Sequence, residues 1–286
     1  MARKRNSERV GARRPEEATT SAPASVTNSA DLFSFVTPTD FVDLPSKGRF
    51  YPDDHPLADK ESVEMRHMTA KEEDILTSES LLRKGLALDR MLQSLLVDKS
   101  LNLDEFLVGD KNALIIASRV SGFGPSYEVS QPCPECSETN DTTFDLNTLN
   151  IHYAEELPEE ITMTEEGTFK FELPVTQVVV EVRLLTAGAE KELAEAAARQ
   201  KKMKLPPTRS TDLLRSVIVS LNDVTDPVMI TKFVDLMPVR DSRHLRKLYE
   251  TVKPDVNMTH EFSCESCEYA GRVQVPLTAQ FFWPDA

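Results

Sequence analysis

Four cysteines, and only four, constrain this chain more than any other feature. Cys133 and Cys136 form one Cys-x-x-Cys pair, and Cys264 and Cys267 form a second. Two thiols separated by two residues can turn both sulfurs toward one point. Two such turns facing each other make a tetrahedral S4 site, whose usual occupant is zinc. An ion gripped this way would tie the middle of the chain to its far end. Each pair lies between stretches that read as strands: Tyr127–Ser130 leads into the first and Thr143–Leu146 leaves it, while His260–Ser263 enters the second and Arg272–Val275 leaves it. The shared plan of strand, thiol turn, polar loop and strand predicts two halves of one zinc-ribbon-like unit.

Three chemistries suit these thiols. Structural Zn2+ fits the ligand number and leaves no cysteine spare, and an iron–sulfur cluster also takes four thiolates. Cys133-Pro134-Glu135-Cys136 has the look of a thioredoxin-like redox pair, but that chemistry wants a helix opening at the thiols. Here Ser137–Asp141 is a polar loop heading for a strand. With four thiolates a zinc ion keeps no open position, so the expected role is to hold shape and not to activate water. His260, four residues before Cys264, and His152, beyond the first half-ribbon, could support the ligands or be ordinary packed histidines.

A chain of 286 residues, 40% hydrophobic and 28% charged, can bury a sizeable core. No run approaches the roughly 20 apolar residues that cross a bilayer, so no membrane contact is expected. The start, Met1–Arg14, is basic, but no apolar segment follows it. No secretory signal is read there, and synthesis in a reducing host cytoplasm is expected, where paired cysteines favour metal or redox roles. The formal net charge is −14. Arg3, Lys4, Arg5, Arg9, Arg13 and Arg14 stand against Glu8 alone in that basic start. Removing them from totals of 33 basic and 47 acidic residues leaves 27 and 46 for the rest. Such a body repels phosphate backbones, so nucleic-acid binding is not expected outside the arm.

The composition predicts an α+β fold in several pieces. Residues 1–38 are rich in Ala, Ser, Thr, Arg and Glu and read as a disordered arm. Residues 39–125 carry a turn motif and a helical block. Pro45 and Gly48 frame a tight turn between two short extended pieces, Thr69 and Glu72 fit a capping box, and Ile75, Leu76, Leu81 and Leu82 supply a buried stripe up to Gly85. A second helix is predicted over Leu86–Val97 and a third capped by Asp110. The half-ribbons occupy 126–150 and 257–286. Between them, 151–256 is an inserted β-hairpin and helical block: an acidic loop over Glu155–Glu166, a hairpin of Phe169–Leu173 with Val178–Leu185, and helices over Ala187–Met203, Asp212–Leu221, Pro227–Leu236 and Asp241–Val252.

Nothing supports an enzyme. No Gly-rich phosphate loop, G-x-S-x-G elbow, kinase signature or H-E-x-x-H pair is present. The acidic runs Asp53-Asp54 and Glu72-Glu73-Asp74 sit at turn or helix-start positions that favour acids anyway.

Three features stand together: the Leu44-Pro45-Ser46-Lys47-Gly48 turn with Phe50-Tyr51-Pro52, the two half-ribbons, and the closing Phe281-Phe282-Trp283-Pro284. In this order they resemble the T4-type bacteriophage baseplate protein family, over about Phe41 to the C-terminus. The resemblance implies a structural or assembly role in the hub region of a contractile tail. It also implies a place in the virion tail baseplate and hub, wedge or tail tube proteins as partners. It brings no catalytic residues; the metal ligands come from the cysteines themselves. Leu44, Phe50, Phe281, Phe282 and Trp283 are candidate partner anchors, since aromatics dominate interface energies, or else they cover the ribbon's own core. The alternative is a zinc-ribbon regulator that binds nucleic acid through the basic arm, and a thiol oxidoreductase is a third reading.

Overall fold

The computed structural model describes residues 37–154, 157–275 and 281–282. The expected arm, up to residue 36, and Trp283 lie outside these residues. The fold is α+β, with helices and small antiparallel sheets packed on one continuous apolar core.

β1 (Thr39–Asp43) and β2 (Ser62–Arg66) pair antiparallel, and the loop between them contains the Leu44–Gly48 turn. Leu44 is fully buried. The Ser46 N–H and hydroxyl donate to the two carboxylate oxygens of Asp110 at 2.9 and 2.6 Å. The Tyr51 hydroxyl donates to the same carboxylate at 2.7 Å and accepts from the Leu107 N–H. Burial pushes the Asp110 carboxyl up, against the donors from Ser46 and Tyr51. Gly48 has φ +71, and a Cβ there would stand 2.4 Å from the Lys60 backbone nitrogen. The turn is therefore fastened to the body, and Phe50 and Tyr51 continue as buried loop, not as the second extended piece that was expected.

The helical block is α1 (Ala70–Thr77), α2 (Glu79–Lys84), α3 (Ala87–Leu95) and α4 (Val108–Phe123). Two expectations fail here. The first helix is broken at Ser78, whose ψ of 107 is extended. The break takes Leu81 and Leu82 off the buried stripe, so that only Leu76 is fully buried and Leu82 is exposed. Asp110 does not cap the third helix. That helix begins two residues earlier, and the Asp110 carboxylate is committed to Ser46 and Tyr51. The capping box is present: Glu72 accepts from the Thr69 N–H and hydroxyl, and also from Arg66 and Ser94.

β3 (Ser126–Pro132) pairs with β4 (Thr139–Asp145) as the first half-ribbon. β5 (Asn150–His152) follows. In the insertion, β6 (Thr162–Met163), β7 (Phe169–Glu172), β8 (Val179–Val182) and β9 (Ile218–Leu221) form an antiparallel sheet in that order. Thus the supposed acidic loop contains a strand. The helix expected to run to Leu221 ends at Val217. Ile218-Val219-Ser220-Leu221 alternates buried and half-buried positions and pairs with β8, so the two-residue period wins locally. The helices here are α5 (Ala187–Lys202), α6 (Arg209–Val217), α7 (Pro227–Leu236) and α8 (Val239–Val252).

β10 (Asp255–Asn257) pairs antiparallel with β5, so the insertion leaves and re-enters through neighbouring strands. Gly109 of α4 permits this: a Cβ there would come within 2.0 Å of the Pro254 carbonyl oxygen. β11 (Thr259–Ser263) and β12 (Ala270–Gln274) form the second half-ribbon. Phe281 and Phe282 are buried in the core. The Phe281 ring meets Tyr127 edge-on at 4.9 Å, and its carbonyl accepts from Arg119 Nε at 2.8 Å. The other two Arg119 nitrogens donate to the Gly124 and Ser126 carbonyls, so this buried cation ties the Phe281 backbone to α4 and β3.

Candidate metal centre

The two thiol turns are built alike. After β3, the Cys133 N–H donates to the Glu138 carbonyl at 2.8 Å and the Ser137 N–H donates to the Cys133 carbonyl at 2.9 Å. Ser137 takes φ +60, the left-handed step that lets the chain reverse within the turn. After β11, the Cys264 N–H donates to the Tyr269 carbonyl at 2.9 Å, and the Ser266 N–H points at Cys264 Sγ at 3.4 Å. Both turns thus bring their sulfurs to one side at the tip of a two-stranded sheet.

The tips face each other. Cys133 Sγ lies 3.8 Å from Cys267 Sγ, and Cys136 Sγ lies 3.7 Å from Cys264 Sγ. All four sulfurs lie within 4.8 Å of one another, and no other such group of candidate ligands exists among the described residues. A tetrahedral ion with metal–sulfur bonds of about 2.3 Å sets neighbouring sulfurs about 3.8 Å apart, so the donor set fits zinc. Cys133 is buried, Cys264 and Cys267 are half-buried and Cys136 is exposed, which places the cluster at the surface.

The thiols perturb one another. Burial opposes ionisation of Cys264, but N–H donors from Ser266 and Cys267 and the neighbouring thiols outweigh it and hold this thiol down at about 6. The Cys267 thiol, despite the Tyr269 backbone donor, is pushed up to about 12 by desolvation and by the other three sulfurs. Four thiolates cannot gather here without a cation to offset their charge. A metal ion such as zinc could supply it.

The histidines stand elsewhere. The His260 ring packs edge-on against Phe144 at 4.6 Å, and His152 Nε2 contacts the Thr251 carbonyl at 2.8 Å. The candidate partner anchors are interior. Leu44, Phe50, Phe281 and Phe282 are each at most 7% exposed, and Phe50 stacks obliquely on Phe169 at 5.5 Å. To serve a partner they would have to leave the chain's own core, which is the other role open to them. The sequence reading missed Asn140. This residue is only 4% exposed and reaches from the first thiol turn to the second. Its one visible signal was an amide inside the polar stretch after Cys136.

Comparison with known families matches the chain to the family described as T4 bacteriophage base plate protein, over residues 39–283. No curated protein and no solved structure matches the chain.

Proposed function

The chain belongs to the T4 bacteriophage base plate protein family, and from that premise we propose that it is a zinc-stabilised adaptor in the hub region of a contractile tail baseplate. The family match, running from β1 through the second half-ribbon, carries the baseplate reading and points to a structural part of the virion tail. Its neighbours are other tail or baseplate proteins, here proposed as hub, wedge or tail tube subunits. The sulfur spacing of 3.7–3.8 Å supports the zinc. In this reading the two half-ribbons, 126–150 and 257–286, act as one unit. The 39–125 block and the 151–256 insertion are built onto it, and the ion stiffens their junction.

The test joins mass spectrometry of purified tail particles and baseplate intermediates with metal analysis of the recombinant protein. The proposal expects the chain in one of those assemblies and one zinc per chain. Absence from both assemblies would reject the baseplate role. Iron with sulfide would replace zinc by a cluster, and salt-sensitive DNA or RNA binding lost on deletion of residues 1–14 would favour a nucleic-acid regulator instead.

A further inference from the structure

Among the described residues, the sheets that carry the two thiol turns, β3–β4 and β11–β12, share no strand pairing with each other; the β5–β10 ladder and the His260–Phe144 contact join the halves elsewhere. No ladder therefore sets one thiol turn directly against the other. One side chain spans the two turns. Asn140 sits on β4, opposite Gln131 of β3 in the first half-ribbon. Its side-chain oxygen accepts the Glu265 N–H of the second thiol turn at 2.8 Å. Its Nδ2 donates to the Glu138 carbonyl of its own turn at 2.9 Å and points at Cys264 Sγ at 3.5 Å.

The two ends of the amide are assigned by chemistry. The Glu265 backbone N–H can only donate, so the amide oxygen must face it; the Glu138 backbone carbonyl can only accept, so the amide nitrogen must face that. The amide can satisfy both in one orientation only, and that orientation aims an N–H at a sulfur ligand. We propose that Asn140 is the positioning residue of the metal centre: it docks the second thiol turn on the first before an ion enters, and it donates a hydrogen bond to the Cys264 thiolate. This inference rests on the metal reading given above. No other side chain has its amide bonded into both turns among the described residues. Partners of this kind orient ligands and tune a metal, and their loss typically weakens metal affinity by about 10- to 100-fold.

Cobalt(II), a spectroscopic stand-in for zinc, titrated into the full chain, together with zinc competition against a chelator, tests this directly. The wild type should give the intense thiolate-to-cobalt bands of a tetrahedral S4 site. Asn140→Ala should keep that four-sulfur pattern while binding about 10- to 100-fold more weakly, with the charge-transfer band displaced because one sulfur has lost its N–H donor. Asn140→Asp keeps the size and packing of the residue but sets a carboxylate oxygen where the N–H stood, and it should bind more weakly still. Wild-type affinity and an unmoved band in both variants would overturn the role of Asn140 and leave the metal centre standing. A wild-type chain that gives no tetrahedral thiolate spectrum would overturn the metal centre, and this inference with it.

Discussion

Glu72 shows how one residue of a recognisable motif does more than the motif predicts. The capping box was legible because Thr69 and Glu72 are three apart. The sequence carried no sign that the same carboxylate would also gather Arg66 and Ser94, residues of β2 and α3. Burial tends to raise this carboxyl, but the donors from Thr69, Arg66 and Ser94 outweigh it and hold it at about 2. A depressed value means that the ionised form stabilises the fold above the unfolded carboxyl range near 4.5, and that this contribution drains away as pH falls from there toward 2. Glu72→Gln should therefore cost about 2 kcal/mol at neutral pH. In urea unfolding at a series of pH values, the gap between wild type and variant should narrow steadily below about pH 4.5. A gap that stays constant down to pH 3 would remove the charge from the explanation. Asp110 was misread for the same reason. Its neighbours in sequence suggest a helix cap, and only the tertiary approach of Ser46 and Tyr51 reveals a buried network.

At the scale of elements, what repeats along the chain was readable and what depends on distant pairing was not. The strand, thiol turn, strand plan gave both half-ribbons, because two-residue alternation and Cys-x-x-Cys spacing are local signals. The helices with strong formers or clear stops, such as α5 and α7, fell close to expectation. The strand β9 was hidden inside a helix pattern, since Ile218–Leu221 becomes a strand only by pairing with β8. The Leu44–Gly48 turn was legible as a turn, yet its anchoring was not. Two glycines separate the causes. Gly48 and Gly85 both adopt positive φ, at +71 and +68, but only Gly48 is crowded, while a Cβ at Gly85 meets nothing within 4 Å. Gly85→Ala should cost about 1 kcal/mol from backbone strain alone. Gly48→Ala should cost that and at least about 2 kcal/mol more, because the Lys60 and Leu57 backbones must move. Equal melting temperatures for the two variants would show that the turn is not fastened as described.

For the molecule as a whole, the thiol cluster joins positions 128 apart along the chain. Losing one ligand should therefore be felt far from its own turn. Cys264→Ser leaves three sulfurs, and the expected result is a fall from one bound zinc to almost none, with new protease cuts in both half-ribbons. Full protease resistance with unchanged melting would mean that the core alone holds the halves. The same topology bears on how the protein is made. A ribosome delivers Cys133 and Cys136 long before Cys264 and Cys267, so any product that stops between them carries half a site. An ion held by all four sulfurs could be captured only once Cys267 has been made, so under the proposed role an unfinished copy would lack its clasp.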